Sequence, residues 1–236
     1  MRILMLSLLV VLTSFTEVPK DTQVLVFTKT AGFRHKSIET GVQTLKELGS
    51  KNHFKITQTE DTDNFTYKKL KHYDLVIFLN TTGDILNTEQ EQAFKKYINK
   101  GGSFMGIHAA TDTEFDWPWY NKLVGAYFLN HPKPAQATVN RIIRSHESTK
   151  HLPDKWVHFD EWYNFKSINK KVNVLLMLDE TTYEGGKNGA FHPIAWYHEF
   201  DGGKSFYTAM GHTVESYSEP EFQNHLLGGI LYCLKR

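Results

Sequence analysis

Apolar residues along this chain recur with two different periods, and the switching between them predicts strand–helix units. Val24-Leu25-Val26-Phe27 and Leu75-Val76-Ile77-Phe78-Leu79 are short continuous apolar runs, as in parallel strands buried on both faces. Between them Ile38, Val42, Leu45 and Leu48 recur at helical spacing, with Ser37 in the cap position and Gly49 as a stop. A strand over 54–59 and a short helix over 67–71 lie between that helix and the second apolar run. Thr88 and Glu91 have capping-box spacing at the start of a helix that runs to about Lys100, where Gly101-Gly102 ends it. The next strand, 103–107, stops at His108. Beyond Phe115 the pattern loosens into aromatic-rich loops, with strands over 137–144 and 172–178 and a hairpin of 194–200 and 205–210 turning at Asp201-Gly202-Gly203. A last helix has capping spacing from Ser218 to Glu221 and an apolar stripe of Phe222, Leu226, Ile230 and Leu234. This order predicts one α/β domain: a right-handed, mostly parallel sheet with helices on both faces.

The stretch Gly101-Gly-Ser-Phe-Met-Gly-Ile-His108-Ala-Ala-Thr-Asp112 has the layout of a nucleophile elbow, an apolar strand turning sharply through one reactive residue into small ones. Such a turn lifts its side chain above the carboxyl edge of the sheet. Here that side chain is an imidazole. A helix opening at His108 would disfavour the charged ring, leaving a neutral group able to act as base, donor or metal ligand. Asp112, one turn on, can orient the ring or hold substrate hydroxyls.

Composition narrows the function classes. The 236 residues suit one domain, and a net charge of +1 with scattered basic residues gives no footprint for nucleic acid. Arg2 and the apolar run Ile3–Leu12 read as a signal peptide over residues 1–18, ahead of a domain spanning 23–236. That run is too short to span a bilayer comfortably, so the mature protein is expected to be periplasmic or secreted, with no membrane span. Cys233 has no partner for an internal disulfide and reads as a core filler.

Twelve histidines supply the candidate chemistry. His53, His72, His146, His151, His158 and His225 lie beside polar residues and read as solvated surface groups. His35, His108, His131, His192, His198 and His212 lie at strand ends or in turns rich in Gly and Pro. The loops carrying His35, Thr81-Thr82-Gly83 and His108 follow parallel strands and should meet at one edge, where His212 can join them. His198 is either a hydrogen-bonded core residue or a pocket wall. Asp160-Glu161-Trp162-Tyr163 sets two carboxylates beside two flat rings, which suits a sugar, or else a surface strand with a half-buried aromatic. Arg34 can bind an anionic group, but no glycine-rich phosphate loop accompanies it.

From about Gln23 onward the chain resembles the ThuA-like, trehalose-utilisation family of the class I glutamine amidotransferase-like superfamily. The resemblance is carried by Gly32-Phe-Arg-His35-Lys-Ser-Ile38, Gly106-Ile-His108-Ala-Ala-Thr-Asp112, Gly125-Ala-Tyr-Phe128 through His131-Pro132, Asp160-Glu-Trp-Tyr163, His192-Pro-Ile-Ala-Trp196 and Gly211-His212-Thr213. It implies a flavodoxin-like three-layer α/β/α sandwich and a link to disaccharide catabolism, often beside oxidoreductases that make 3-keto sugars. The wider superfamily carries a Cys at the elbow and a His-x-Glu pair; this chain has neither, which excludes thiolate-based glutamine hydrolysis. The leading expectation is an enzyme acting on a disaccharide or 3-keto sugar by acid–base chemistry, with His108, Glu161 and His212 catalytic. Arg34, His35, Thr82, Gly83, Asp112, His131, Trp162, Tyr163, His192 and His198 are expected around the substrate. The alternatives are a non-catalytic sugar-binding module and a histidine-rich hydrolase that uses a divalent metal. No HExxH spacing marks the metal ligands.

Overall fold

The computed structural model describes residues 22–234, so the expected signal peptide lies outside the described residues. The first half alternates as the periodicity requires: β1 (Thr22–Phe27), α1 (Ile38–Lys51), β2 (Phe54–Thr59), α2 (Tyr67–Leu70), β3 (Leu75–Leu79), α3 (Thr88–Asn99) and β4 (Ser103–Ile107). The second half holds α4 (Pro118–Val124), β5 (Tyr127–Asn130), β6 (Ala135–Arg141), β7 (Lys155–Asp160), β8 (Asn164–Lys166), β9 (Asn173–Asp179), β10 (Pro193–Phe200), β11 (Gly203–Thr208) and α5 (Pro220–Leu234).

Nine strands form one mixed sheet in the order β2-β1-β3-β4-β11-β10-β9-β6-β7, and β5 with β8 makes a separate ribbon. Pairings from β2 to β11 are parallel, whereas those from β11 to β7 are antiparallel. The expectation of a mostly parallel sheet therefore holds only for the first half. Every residue of β3 and β4 is buried, as their continuous apolar runs demand. Helix α1 packs beside α5, and α2 beside α3.

Three local expectations are corrected. Ser37 makes no side-chain cap on α1; its hydroxyl donates to the Gly211 carbonyl at 2.9 Å instead. The capping box of α3 is formed by Asn87 and Gln90, one residue earlier than Thr88 and Glu91. Helix α5 begins at Pro220, and Ser218 belongs to a preceding 3-10 turn. The hairpin turn is as expected, with Asp201 and Gly202 both at positive φ (51° and 95°).

Strand β7 escapes the sequence reading because its polarity is inverted. Trp156, His158 and Asp160 point inward, while Val157 and Phe159 are 56% and 50% exposed. His158 and His225, expected on the surface, are buried at 2% and 0% exposure, each held by hydrogen bonds.

Candidate metal centre

His108 stands at the end of β4 with φ of +48°, a left-handed conformation that non-glycine residues adopt only when their surroundings hold them there. The elbow is real, but the turn after it is a four-residue 3-10 segment, His108–Thr111, too short for a helix dipole to govern the ring. The tautomer is set another way. His108 Nδ1 lies 2.7 Å from the Ala209 carbonyl, which can only accept, so Nδ1 carries the proton and the Nε2 lone pair faces inward.

Two further imidazoles meet that lone pair. His35, from the loop after β1, has its ring 4.9 Å from His108 and 5.2 Å from His212, and the His108–His212 separation is 5.2 Å. Glu161, just past β7, places Oε2 3.1 Å from His212 Nδ1 and 3.6 Å from His108 Nε2. Neither contact has hydrogen-bond geometry: His35 Nδ1, His108 Nε2 and His212 Nδ1 are all buried without a hydrogen-bond partner. One ligand atom from each of His35, His108, Glu161 and His212 falls within 4.8 Å of the others. Three imidazoles, each with one buried nitrogen lacking a hydrogen-bond partner, and one carboxylate are the donor set of a zinc-type ion.

The electrostatics agree with a cation-accepting pocket. Burial would raise Glu161, but the facing His108 and His212 imidazoles hold it well below the usual carboxylate range. Burial, reinforced by repulsion from His108 and His212, pushes His35 down to about 2, so this ring is neutral and its lone pair available. His212 is shifted up despite burial, because it faces Glu161.

The outer contacts orient these ligands, as metal sites require. His131 Nδ1 makes its hydrogen bond to the Pro132 carbonyl at 2.8 Å and lies 3.0 Å from Glu161 Oε1, on the side away from the centre's Oε2 contacts. Asp112 is half-buried near His108 and His131, and desolvation outweighs those imidazoles to raise it to about 6. Tyr163 packs its ring 4.2 Å from His108 and 4.3 Å from Phe128, forming a wall behind the elbow.

Several of the residues expected around the substrate are engaged in contacts of their own. Arg34 is spent on Glu39 and Glu60, each at 2.8 Å. Thr82 donates its hydroxyl to the Phe33 carbonyl and accepts from Gly32, so it pins the loop carrying His35. Gly83, at φ +76°, donates its N–H to the Asp112 carbonyl and sets that loop. Trp162 is fully buried and donates to Ala135, so it is core and no sugar platform. His192 uses both nitrogens, on Glu180 and the Tyr163 carbonyl, and supports Tyr163 from behind. His198 is the core residue: its partner Ser205 pairs with Phe104, four residues before His108 and roughly 13 Å down the strand.

Two residues were not anticipated. Phe33 is 65% exposed with its ring 4.9 Å edge-on to His35, making it the open aromatic surface beside the centre. Glu114, at φ +53° and 1% exposed, accepts the N–H groups of Ile85 and Leu86, and burial pushes its carboxyl up to about 8. An acid whose folded value lies above its unfolded one binds more protons when folded, so stability falls as pH rises from about 4.5 to 8. Glu114→Gln keeps an oxygen for both N–H groups without the charge. Its melting temperature should fall less than wild type between pH 5 and pH 9, which thermal melts across that range will show; parallel curves would contradict the assignment.

A cleft of about 400 Å³ lined by Tyr67, Lys71, Tyr97 and Lys100 lies at the opposite sheet edge, away from the clustered imidazoles.

Comparison with known proteins identifies the family and the fold. Residues 23–233 match the family model for ThuA, described as trehalose utilisation. A ThuA-like protein from Bacteroides uniformis is similar in structure, with a TM-score of 0.75, 24% identity, and coverage of 93% of this chain and 94% of that one. Another from Parabacteroides merdae has a TM-score of 0.74 and 19% identity, covering 91% and 90%. No curated protein matches the sequence.

Proposed function

The chain belongs to the ThuA family, and from that premise we propose that it is a metal-dependent enzyme of carbohydrate catabolism acting on a carbonyl-bearing sugar such as a 3-keto disaccharide. The observation that carries this reading is the set of three imidazoles gathered with Glu161 at the carboxyl edge of the sheet, with His35 Nδ1 left without a hydrogen-bond partner and His108 and His212 turned to the one carboxylate. The order β2-β1-β3-β4 with α1 and α3 between parallel strands supports a flavodoxin-like three-layer arrangement, whose switch point between β1 and β3 lies under this site. The apolar run Ile3–Leu12 supports export to the periplasm or medium.

His35, His108, His212 and Glu161 Oε2 would hold the ion. When bound, a divalent ion that keeps a further coordination position open to substrate would polarise a carbonyl oxygen. The protein's own groups supply the rest. Asp112, raised to about 6, exchanges protons near neutral pH and suits removal of the hydrogen on the carbon beside a carbonyl. His131, with its side chain 41% exposed, stands beside Glu161 at the site's mouth, where it can meet substrate. Phe33 offers an apolar face on which a sugar ring can stack. His108 is assigned here as a ligand, its lone pair committed to the ion, in place of the general-base role expected from the elbow.

Purified protein, freed of metal and reloaded with zinc, manganese or cobalt, is incubated with trehalose and with its 3-keto derivative. Metal-dependent consumption of the keto sugar supports the reading. Saturable sugar binding without product in every metal state would overturn it in favour of a binding module.

A further inference from the structure

The sheet order poses a geometric problem that one buried carboxylate solves. Strand β7 lies four places from β11, roughly 19 Å away in a flat sheet. Yet Glu161, next after β7, meets His212, from the loop after β11, at 3.1 Å. The antiparallel half must curl back over the site, and something must hold the closed ends together.

Asp160 sits at that junction, completely buried. Its Oδ2 accepts the Gly211 N–H at 2.7 Å and the Ser216 hydroxyl at 3.2 Å, with His158 Nε2 at 3.4 Å. Its Oδ1 accepts the N–H groups of Glu161 at 2.8 Å and His212 at 3.0 Å. One oxygen thus holds the backbone of two ligands that arrive from strands far apart in the sheet. The Gly211 carbonyl is fixed from the other side by Ser37, at 2.9 Å, and Asn80, at 3.3 Å. His158 lies between Asp160 and Glu219, whose Oε2 is 2.9 Å from Nδ1, and supplies the countercharge that an isolated buried carboxylate would lack.

We propose that Asp160 is the positioning residue of the metal centre, joining Glu161 and His212 in one clamp so that the ligand set is built before any ion arrives. This inference rests on the metal-centre reading above. Asp160 touches no ligand side chain through its carboxylate; it acts on their main chains, which sets it apart from the ordinary partner that orients an imidazole or carboxylate directly. Asparagine is nearly the same shape, but its amide nitrogen cannot accept an N–H. Asp160→Asn therefore leaves one side of the clamp without an acceptor.

The test is titration of metal-free protein with cobalt(II), read by its visible absorption and by competition with a chelator of known affinity. Wild type, Asp160→Asn, Ser216→Ala and Ile230→Ala are compared, each with a thermal melt of the metal-free form. Ile230 is a buried core residue of α5, so Ile230→Ala controls for lost stability alone. We expect Asp160→Asn to bind cobalt about 10–100-fold more weakly with an altered band, and Ser216→Ala to lose less. Ile230→Ala should bind as wild type does, although it melts earlier. If Asp160→Asn does not fold, Ser216→Ala decides, since it removes one hydrogen bond to the other oxygen of the same carboxylate, Oδ2. Wild-type affinity in a folded Asp160→Asn, or in Ser216→Ala when that variant decides, would overturn the clamp, as would an equal loss in Ile230→Ala. Absence of cobalt binding in wild type would instead overturn the metal-centre reading, and the clamp's role with it.

Discussion

Glu161→Gln is expected to weaken zinc or cobalt binding by at least 100-fold while the fold survives. Glu161 is the one anion in a set of four, and its Oε2 faces both His108 and His212. The amide keeps the shape and a weak oxygen ligand but removes the charge that offsets the cation. Partners outside the first layer of ligands typically contribute 10–100-fold to metal affinity, so loss of a direct anionic ligand should exceed that range. A 100-fold loss corresponds to about 2.7 kcal/mol. A purely structural ion pair among histidines predicts something else: a shifted melting temperature and no metal-linked change. Competition titration of the two proteins, with melts of both metal-free forms, separates the two accounts.

Removing the ion should cost the protein roughly 10 °C in melting temperature. A ligand that binds only the folded state stabilises it by about 4 kcal/mol at a thousandfold excess over its dissociation constant. In a chain of this size each kcal/mol moves the midpoint by about 2–4 °C. The effect should be reversible on adding zinc back. It should also vanish in His108→Ala, whose lost imidazole leaves the His35 and His212 nitrogens without their third partner. Calorimetry with and without a chelator, on both proteins, provides the measurement. An unchanged midpoint in wild type would show that no ion contributes to folding.

The parts of this architecture legible in the sequence are those governed by local pattern. Strands β1, β3 and β4 announce themselves because burial on both faces leaves uninterrupted apolar runs, and the His108 elbow follows from small residues packed behind a strand end. The convergence of His35, His108 and His212 also follows from topology, since all three come after strands that run the same way. What the pattern hides is set by tertiary contacts. Strand β7 turns Val157 and Phe159 outward and His158 and Asp160 inward, the reverse of the usual alternation, so neither its existence nor the role of Asp160 shows in its residues. Trp162 and Tyr163 look like a sugar platform in a linear reading, yet one is core and the other a wall. Metal-ligand spacing is absent because the four ligands come from four separate loops: parallel topology gathers the three histidines, and the curl of the sheet brings Glu161 to them. Phe33, two residues before His35, carries a signal in the sequence as an aromatic in the loop after a strand, whereas the charge of Arg34 between them points to an anion and is tied to Glu39 and Glu60.

The most direct test of the central claim is anomalous X-ray diffraction from crystals of zinc-loaded protein, recorded on both sides of the zinc absorption edge. The account predicts one strong peak bounded by His35, His108, His212 and Glu161 Oε2, at bond lengths of about 2.0–2.2 Å. No peak there, or density for zinc only at surface histidines such as His53 or His72, would contradict it.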